Sequence, residues 1–316
     1  MSSIGVVVVG TGLISKFHAQ AVNASGRLAI KGFVGRTMEK ASAMSSEFGG
    51  EAFDNLDKAF SAPGVGMAVV GTASGAHDEA VLAAARHRVP VLVEKPIAIT
   101  TARVDRMIAA CRETGTPLGC IFQTRWTDDF RRAKAKVDSG DLGRLTYGGV
   151  RIPWWRTDEY YSGSSWHGTW EMDGGGALIN QSIHMIDWLV ALMPPVEDVK
   201  AFAATLAHPM EAEDTVSAAI RFQGGALGGV YAATSSFPGR GKSLEITGTN
   251  GTFEIADGGH GVARPDALEY ASHQACFESF ADSLEPGGTP YPIPGEEARK
   301  SVDLIERIYR SAGLRA

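Results

Sequence analysis

Apolar runs rich in β-branched residues alternate with amphipathic stretches over the first part of the chain. The runs have the length and composition of strands buried on both faces of a sheet, and they lie at residues 4–9, 28–34, 67–70, 89–93 and 118–122. The stretches between them have helical spacing and include residues 15–25, 38–48, 77–87 and 101–114. Strands that alternate with helices pair in parallel, so the pattern predicts an α/β, doubly wound parallel sheet.

Strand-like runs follow one another without long helices in the second part of the chain. They lie at residues 145–152, 199–205, 215–222, 227–234, 243–247 and 252–256. Residues 248–251, Gly-Thr-Asn-Gly, have the composition of a hairpin turn, and helices are expected near 273–284 and 296–311. The pattern predicts an α+β domain with a large, mostly antiparallel sheet. We expect domains at 1–123 and 124–316, with the last helix able to pack back on the first domain.

One helix-like segment, residues 174–187 with apolar residues continuing to Val190, carries a single polar line on an otherwise apolar surface. Asn180, His184 and Asp187 are spaced i, i+4 and i+7, which places them on one face of a continuous helix. A helix that is apolar on most sides is buried, and buried polar groups need partners, so the line is expected to form the wall of an active-site cavity. The alternative is a core histidine with Asp187 as its hydrogen-bond partner.

The first apolar run is followed directly by Gly10-Thr11-Gly12-Leu13-Ile14, which opens a helix. Two glycines in this place permit a tight turn and the close approach of a pyrophosphate, which the helix N-terminus attracts. Ser15 stands where a third glycine is usual, and a small residue there still permits close packing of helix on strand. The motif predicts a Rossmann dinucleotide site, and a plain strand-to-helix turn is the alternative.

The end of the second strand bears on which dinucleotide is bound. An acidic residue there would accept hydrogen bonds from the ribose 2′-hydroxyl of NAD, but the chain has Gly35-Arg36-Thr37. Arg36 could contact the 2′-phosphate of NADP with help from the Thr37 hydroxyl, or it could stack on the adenine or point into solvent. NADP is the expected cofactor, with NAD as the alternative.

Two further strand ends supply more candidates for the cofactor site. Thr72 and Ser74 follow one strand, and Glu94 and Lys95 end the other. A lysine at the mouth of a buried strand is partly desolvated and can donate to, or exchange protons with, a substrate hydroxyl. Pairing of Lys95 with Glu94 is the structural alternative, although neighbours on a strand point to opposite faces.

Two residues near these strand ends have their own expectations. The Lys95–Pro96 peptide is a candidate for a cis bond, since such bonds cluster at functional turns. His77 is included among the cofactor-site residues, although capping or packing of a helix end is the more common role for a histidine in its place.

Three motifs in this order resemble one known family. The Gly10-x-Gly12 turn, Glu94-Lys95-Pro96 and the glycine-rich segment ending in His184 and Asp187 resemble the glucose-fructose oxidoreductase, inositol dehydrogenase and rhizopine catabolism family (Gfo/Idh/MocA) over nearly the whole chain. The resemblance implies a dinucleotide domain followed by an α/β domain with a large, mostly antiparallel sheet. It also implies NAD(P)-dependent oxidation or reduction of a sugar, cyclitol or related polyol, in a homodimer or homotetramer.

Within this resemblance, Lys95 matches the family's catalytic lysine and His184 its catalytic histidine. Many members have an aspartate four residues before the histidine, where this chain has Asn180, as in members that act on nucleotide-linked or modified sugars. A neutral amide can orient the substrate or Lys95 but cannot accept a proton. Acid–base work is therefore expected of His184, which would take the hydroxyl proton, of Lys95, which would steady the oxyanion, or of both.

Substrate specificity is expected from residues 154–170, which are rich in aromatic residues and otherwise polar and loop-like. Aromatic rings stack on the C–H faces of sugar rings, and an arginine can hold a carboxylate or phosphate bidentately. A subunit interface or the cover of an exposed sheet is the alternative for the aromatic residues. The substrate-site candidates are Trp155, Arg156, Tyr160 and Trp166, with Gln123 and Arg125 just after the last strand of the first domain.

Composition bears on several classes of partner. The formal net charge is -6 and no basic stripe is present, so nucleic acid is not an expected partner. Cys111, Cys120 and Cys276 lack metal-ligand spacing, so no metal is expected, and reduced thiols are typical of a cytoplasmic protein. No apolar run approaches the ~20 residues of a membrane helix, and the early first strand favours the absence of a signal peptide.

Two classes of function are compatible with these observations. The first is an NAD(P)-dependent oxidoreductase acting on a sugar or, alternatively, on a non-sugar carbonyl, diol or imine. The second is a sensor or regulator that binds a dinucleotide without catalysis, because a fold alone does not imply chemistry. The presence of both Lys95 and His184 favours the enzyme.

Overall fold

The computed structural model describes residues 3–256 and 270–314. The described residues divide into two units: the first contains residues up to Gln123 and residues 270–299, and the second contains residues 124–256 and 300–314. No helix within the described ranges is both long enough and apolar enough to cross a membrane.

The first unit is built on a six-stranded sheet whose neighbouring strands are all parallel. The strands are β1 (Ile4–Val9), β2 (Leu28–Val34), β3 (Glu51–Phe53), β4 (Val65–Val70), β5 (Val91–Glu94) and β6 (Leu118–Ile121). Their order is β3-β2-β1-β4-β5-β6, which is that of doubly wound dinucleotide folds. Residues 6–8 of β1 have no exposed surface, as expected of a strand covered on both faces.

Helices cover this sheet and follow the sequence pattern closely. They are α1 (Leu13–Ala24), α2 (Met38–Phe48), α3 (Leu56–Phe60), α4 (His77–His87) and α5 (Thr101–Thr114). The bounds of α2, α4 and α5 agree with those predicted, and in α2 and α5 a threonine hydroxyl caps the first turn, Thr37 for Lys40 and Thr100 for Arg103. The short β3 and α3 were not predicted, because segments of three and five residues are too short to show a hydrophobic period.

The second unit contains the other six-stranded sheet. Its elements are α6 (Asp128–Asp138), β7 (Leu145–Pro153), α7 (Asp158–Ser162), α8 (Ile183–Leu192), β8 (Val196–Ala204), β9 (Thr215–Phe222), β10 (Leu227–Ala233), β11 (Ser243–Gly248) and β12 (Gly251–Ala256). The strand order is β12-β11-β7-β10-β9-β8, and every pair is antiparallel except β7 with β10. Gly248 pairs with Gly251 across the β11–β12 hairpin, which confirms the predicted turn.

One face of the second sheet is covered by helical segments and the other is partly open. Residues of β9 alternate between exposed and buried, which is the pattern of a sheet covered on one side. Phe202 of β8 is 86% exposed and Leu227 of β10 is 55% exposed. A partner subunit over this face, in the expected homodimer or homotetramer, stays a prediction, as does the cytoplasmic location.

The C-terminal helices α9 (Ala271–Ser283) and α10 (Gly295–Ser311) correct the predicted domain assignment. The boundary at 123/124 agrees with the structure, but residues 270–299 belong to the first unit. Helix α9 packs on α1 and β6 through Cys276, Phe277 and Phe280. Only the first turn of α10 belongs to the first unit, where Arg299 forms an ion pair with Asp105. Hydrophobic periodicity identifies a helix but does not show which core it joins.

A π-helix, Ala177–Gln181, precedes α8 and interrupts the continuous helix that the sequence predicted. Ser182 separates the two segments, and its hydroxyl donates to the main-chain oxygen of Ala177 at 2.7 Å. Asn180, His184 and Asp187 therefore do not share one helical face. Asp187 is fully buried, whereas Asn180 and His184 are half-buried. The wider turn of a π-helix leaves no signature in the apolar pattern, and π-turns are frequent at functional sites.

Glu213 anchors the beginning of the π-helix. Its carboxyl group accepts the N–H groups of Gly176 at 3.0 Å and Leu178 at 2.9 Å and the hydroxyl of Tyr309 at 2.9 Å. Its main-chain oxygen accepts the N–H of Ala177. Glu213 is 1% exposed, and this burial raises its pKa to about 7, although the hydrogen bonds from Leu178, Tyr309 and Gly176 act in the opposite direction.

We predict that the substitution Glu213→Gln changes the pH dependence of stability. The pKa of about 7 in the folded chain lies above the ordinary value of 4.5, so the contribution of Glu213 to stability is complete below pH 4.5 and is lost as the pH rises through 7. The wild type should lose about 3 kcal/mol relative to Glu213→Gln between about pH 5 and about pH 8.

Equilibrium urea unfolding of both proteins at the two pH values measures this difference. Glu254→Gln, at an exposed position on β12, is the control and should follow the wild type. An equal difference in unfolding free energy between wild type and Glu213→Gln at both pH values would contradict the prediction.

Candidate active site

The turn between β1 and α1 is shaped for a phosphate group. Gly10 has φ +116°, and a Cβ atom there would lie 2.6 Å from the main-chain oxygen of Gly71, so a side chain is excluded. Gly12 caps α1 without a side-chain hydrogen bond, and no atom lies within 4 Å of where its Cβ would be. The first turn of α1 therefore presents main-chain N–H groups to open space. Thr11, Leu13 and Ile14 border this space, and the turn fits the diphosphate of a dinucleotide.

Arg36 and Thr37 lie where β2 ends and α2 begins. The Arg36 side chain is exposed and makes no hydrogen bond or ion pair with any described residue. The Thr37 hydroxyl oxygen accepts the N–H of Lys40 at 3.4 Å and so caps α2. Of the two, Arg36 is the side chain that remains available to a ligand.

His77 joins the turn after β4 to the turn after β5. Its Nδ1 lies 2.9 Å from the main-chain oxygen of Pro96, and its Nε2 lies 3.2 Å from that of Thr72. Burial lowers the pKa of His77, against the effect of these two hydrogen bonds. Both ring nitrogens face main-chain oxygens and the residue is 1% exposed, which favours a packing role, and the cofactor contact by His77 stays a prediction. The helix cap is Ala76, and Ser74 is buried at the start of the preceding turn, Ser74–Ala76.

Glu94 fixes the main chain at Lys95. One carboxylate oxygen accepts the N–H of Lys95 at 2.9 Å, and the other lies 2.9 Å from Nε2 of His18. Although burial opposes ionisation, the hydrogen bond with His18 and the proximity of His273, whose Nε2 lies 3.6 Å from the carboxylate, hold the pKa of Glu94 well below its ordinary range. Glu94 is 6% exposed and its carboxylate contacts His18, so it supports Lys95 from below the surface, and its contact with the cofactor stays a prediction. Lys95 is half-buried, and the Lys95–Pro96 peptide is cis, as anticipated.

The cluster of His18, Glu94 and His273 was not anticipated, because its members are distant in the sequence. Their nitrogen and oxygen atoms lie within 4.8 Å of one another, and such groups ligate transition metals. However, Nδ1 of His18 and Nδ1 of His273 have no hydrogen-bond partner in the described part of the chain, whereas metal-bound histidines usually donate the second ring N–H. The chemistry of the cluster fits the support of Lys95 better than it fits a metal.

Asn180 of the π-helix is held by a residue that the sequence did not single out. Its side-chain amide donates to Asp173 at 2.7 Å, and the other oxygen of Asp173 accepts the N–H of Gly168 at 2.8 Å. Asp173 is 1% exposed, while Asn180 is half-buried. The only sequence signal for Asp173 is its place directly before the glycines at 174–176.

His184 lies on the first turn of α8. Its Nδ1 is 3.5 Å from the hydroxyl oxygen of Thr124, which accepts the indole N–H of Trp188 at 3.0 Å. Thr124 therefore links His184 to a side chain one turn further along the same helix. No sequence pattern indicated this role for Thr124, since a threonine just after a strand is common.

Asp187 and Arg125 form a buried ion pair. Nε and Nη2 of Arg125 donate to the two carboxylate oxygens at 2.7 and 2.6 Å. The Arg125 side chain is 9% exposed and that of Asp187 is 0% exposed. The carboxylate of Asp187 thus satisfies Arg125 in the core, and a substrate contact by Arg125 stays a prediction. Two complementary charged groups satisfy each other in the core, and they stand 62 residues apart in the sequence.

The aromatic-rich stretch is partly ordered by its own packing. Tyr160 of α7 stacks on His167 with ring centres 4.4 Å apart and an angle of 7°, and Trp166 lies 4.2 Å from the same ring. Trp155 contacts the edge of Phe237 at 5.3 Å. The stretch is thus less loop-like than predicted, because α7 lies within it.

Arg156 and Gln181 connect this stretch to the π-helix. Nε and Nη2 of Arg156 both donate to the side-chain oxygen of Gln181, and the Gln181 amide donates to the hydroxyl of Tyr160 at 2.8 Å. Cζ of Arg156 lies 5.4 Å from the ring centre of Trp154 and 5.0 Å from that of Tyr160. Gln181 was not predicted, although it follows Asn180 directly.

The structure brings the candidates together within each unit. In the first unit, the turn at 10–14, Thr72 and Lys95 follow β1, β4 and β5, and the carboxyl ends of adjacent parallel strands form one edge of a sheet. Gln123 also belongs to this unit, and its side-chain oxygen is buried without a hydrogen-bond partner among the described residues. In the second unit, Arg156, Tyr160 and Asp173 gather against the π-helix that carries Asn180 and Gln181.

Known proteins share both units. Residues 4–122 match the oxidoreductase family with an NAD-binding Rossmann fold, and residues 130–254 match the GFO/IDH/MocA C-terminal domain. The chain is 26% identical over 255 residues to myo-inositol 2-dehydrogenase of Thermotoga maritima, covering 77% of this chain and 72% of the relative. It is 25% identical to D-apiose dehydrogenase of Rhizobium rhizogenes, covering 99% and 96% of the two chains.

A solved structure extends the similarity to the whole fold. The WlbA dehydrogenase of Bordetella pertussis, in complex with NADH and UDP-GlcNAcA, superimposes with a TM-score of 0.90 at 31% identity, covering 98% of this chain and 97% of that one. Relatives of this kind are dehydrogenases and reductases that act on CH–OH groups. The resemblance of the motifs is thereby confirmed, and the chain belongs to the Gfo/Idh/MocA family of NAD(P)-dependent oxidoreductases.

Proposed function

We propose that this oxidoreductase transfers hydride between NAD(P) and a secondary alcohol or ketone of a sugar, cyclitol or modified sugar, with Lys95 and His184 as its catalytic residues. The observation that carries the proposal is that both residues are half-buried and each is held by a neighbour: Glu94 accepts the main-chain N–H of Lys95, and the Thr124 hydroxyl lies 3.5 Å from Nδ1 of His184. The names of the relatives, which include an inositol and an apiose dehydrogenase, support a polyol substrate. The relative in complex with UDP-GlcNAcA supports a nucleotide-linked sugar among the candidates.

The chemistry that we propose divides the reaction between cofactor and protein. When bound, the nicotinamide supplies the site that accepts or releases hydride. In the direction of oxidation, His184 accepts the hydroxyl proton of the substrate as the C–H bond breaks. If Nδ1–H of His184 donates to Thr124, Nε2 is the basic ring nitrogen. Lys95 donates to the substrate oxygen and stabilises the negative charge that develops on it.

Replacement of either catalytic residue should slow turnover without removing the cofactor site. Lys95→Met and His184→Asn are each expected to lower kcat/KM by about 100-fold or more, the usual contribution of a positioned acid or base. Wild-type turnover is first measured on a panel of sugars, cyclitols and keto-sugars with both NAD(H) and NADP(H). NADH affinity, measured by nicotinamide fluorescence, should stay within a few-fold of wild type.

Lys200→Met and His87→Asn are the matched controls, since Lys200 is exposed on β8 and His87 lies at the C-terminal end of α4. They should turn over substrate as the wild type does. Turnover by Lys95→Met or His184→Asn within a few-fold of wild type would remove that residue from the mechanism.

We also propose that Asp173 is a positioning residue for Asn180. Because the Asn180 amide donates its N–H to Asp173, its oxygen is directed to the other side of the amide group. Asn180 would then offer a hydrogen-bond acceptor where many family members have an aspartate. Asp173 itself is 1% exposed, so it does not contact the substrate and acts only through Asn180.

An exchange of the two side chains tests this role. In Asp173→Asn, the new amide can still accept from Gly168 but will donate to the Asn180 oxygen, so Asn180 should rotate and lose its acceptor. We expect kcat/KM to fall about tenfold or more, with unchanged NADH affinity. The double variant D173N/N180D again pairs one donor with one acceptor and should recover turnover. The new carboxylate at position 180 should add an ionisation to the pH profile of kcat/KM.

The single variant Asn180→Asp is the internal comparison for the double variant. It places two carboxyl groups, at positions 173 and 180, within hydrogen-bond distance of each other. Their mutual repulsion should raise the pKa of one of them. Wild-type kcat/KM in Asp173→Asn, or no recovery in the double variant, would contradict the positioning role.

We propose further that Arg36 allows the cofactor site to accept NADP(H) as well as the NAD(H) bound by the relatives. The side chain lies at the end of β2, where dinucleotide folds read the ribose, and no described residue pairs with it. A guanidinium in this place can form charge-assisted hydrogen bonds with a 2′-phosphate.

The ratio of NADPH to NADH affinity measures this contribution. Arg36→Ala should weaken NADPH binding about tenfold or more and NADH binding by less than about threefold. Lys200→Ala, at an exposed position on β8, provides a control for general loss of positive charge. If Arg36→Ala weakened the two nucleotides equally, Arg36 would have no part in the choice of cofactor.

A further inference from the structure

Arg156 is a half-buried cation that has no counter-ion among the described residues. No described residue places a carboxylate within ion-pair distance of its guanidinium, and its protein hydrogen bonds both go to the side-chain oxygen of Gln181. Arg125 offers the contrast, because its equally sequestered guanidinium is paired with Asp187. A buried charge is costly unless it is compensated, and burial lowers the pKa of Arg156 accordingly.

The orientation of this guanidinium is fixed before any ligand arrives. Gln181 occupies the edge formed by Nε and Nη2, and the rings of Trp154 and Tyr160 lie 5.4 and 5.0 Å from Cζ. Tyr160 is itself held by the Gln181 amide and by its stack on His167. The edge formed by Nη1 and Nη2 is left with N–H donors that no described residue uses. That edge matches the two oxygens of a carboxylate or phosphate.

The place of Arg156 in the second unit connects it to the proposed reaction. Gln181 is adjacent to Asn180 in the π-helix, and Asn180 is a candidate for contact with the reacting part of the substrate. A group bound at Arg156 would therefore lie on the same segment that presents Asn180. An anion there would supply the charge that the protein lacks, which favours anionic over neutral sugars.

We propose that Arg156 binds an oxyanion carried by the sugar substrate, a carboxylate or a phosphate, and thereby selects acidic sugars. The proposal rests on the proposed function, because it names the substrate class of the same site. Specificity arises from the two fixed N–H donors of the Arg156 guanidinium. A neutral hydroxymethyl group in place of the oxyanion would leave the positive charge uncompensated and at least one of these donors without an acceptor.

Binding of matched sugars to the NADH complex of the full chain provides the test. D-Glucuronate, D-glucose 6-phosphate and D-glucose are titrated by calorimetry into wild type, Arg156→Gln and Arg151→Gln. Arg151 is the matched control, because it lies on neighbouring β7, is exposed, and also has its Cζ 5.8 Å from a tyrosine ring, that of Tyr231. Arg156→Lys keeps the charge without the two-donor edge and covers the case in which Arg156→Gln does not fold.

We expect wild type and Arg151→Gln to bind at least one acidic sugar about tenfold or more tighter than glucose, and Arg156→Gln to lose this preference. Arg156→Lys should retain only part of it. The glucuronate and glucose 6-phosphate titrations show which oxyanion fits. Equal affinity for acidic and neutral sugars in wild type, or a preference that survives Arg156→Gln, overturns the proposal.

The design separates this failure from failure of the proposed function. Absence of NADH binding by wild type would overturn the oxidoreductase assignment of the site, whereas NADH binding without a preference for acidic sugars overturns only the role of Arg156. The unfolding midpoint of each variant is measured alongside, so that a loss of preference is assigned only to folded protein.

Discussion

A buried carboxylate that accepts a main-chain N–H recurs beside the proposed catalytic residues of both units. Glu94 accepts the N–H of Lys95, and Asp173 accepts that of Gly168 while it holds Asn180. Glu213 accepts two such groups where the π-helix begins. A carboxylate removed from water is stable only when its hydrogen bonds are satisfied, so the surrounding backbone cannot move without a loss of several interactions together. This constraint fixes the segments that present Lys95 and Asn180.

The pKa of the buried glutamate is shifted in opposite directions in the two units. Glu94 lies against His18 and His273, and these neighbours keep its pKa well below the ordinary range despite its burial. Glu213 receives hydrogen bonds only from neutral groups, and burial raises its pKa to about 7. At Glu213 the neutral donors offset only part of the cost of desolvation, whereas at Glu94 the contacts with His18 and His273 outweigh it. A buried glutamate alone therefore does not indicate a charge state; its partners decide it.

Two arginines that seemed equivalent in the sequence have different roles in the second unit. Arg125 follows the last strand of the first unit and Arg156 lies in the aromatic-rich stretch, and both were candidates for the substrate pocket. Arg125 is neutralised by Asp187, and the pair contributes to the core. Arg156 has two aromatic rings and an amide around it but no carboxylate among the described residues, so its charge remains available to a ligand. The difference lies entirely in which side chain the fold places opposite each guanidinium.

The sequence alone determined the order and type of most elements, because hydrophobic period, turn residues and helix caps are local signals. The parallel sheet, the antiparallel sheet, the β11–β12 hairpin and the bounds of α2 and α5 follow from such signals. The glycine turn and the Glu94-Lys95-Pro96 motif likewise carry their chemistry in adjacent residues. Tertiary structure decided what depends on distant partners: the addition of α9 to the first unit, the π-helix anchored by Glu213, the Arg125–Asp187 pair and the support of Asn180 by Asp173. Burial pairs these groups across long stretches of chain, and a single sequence holds no record of which polar residues will meet.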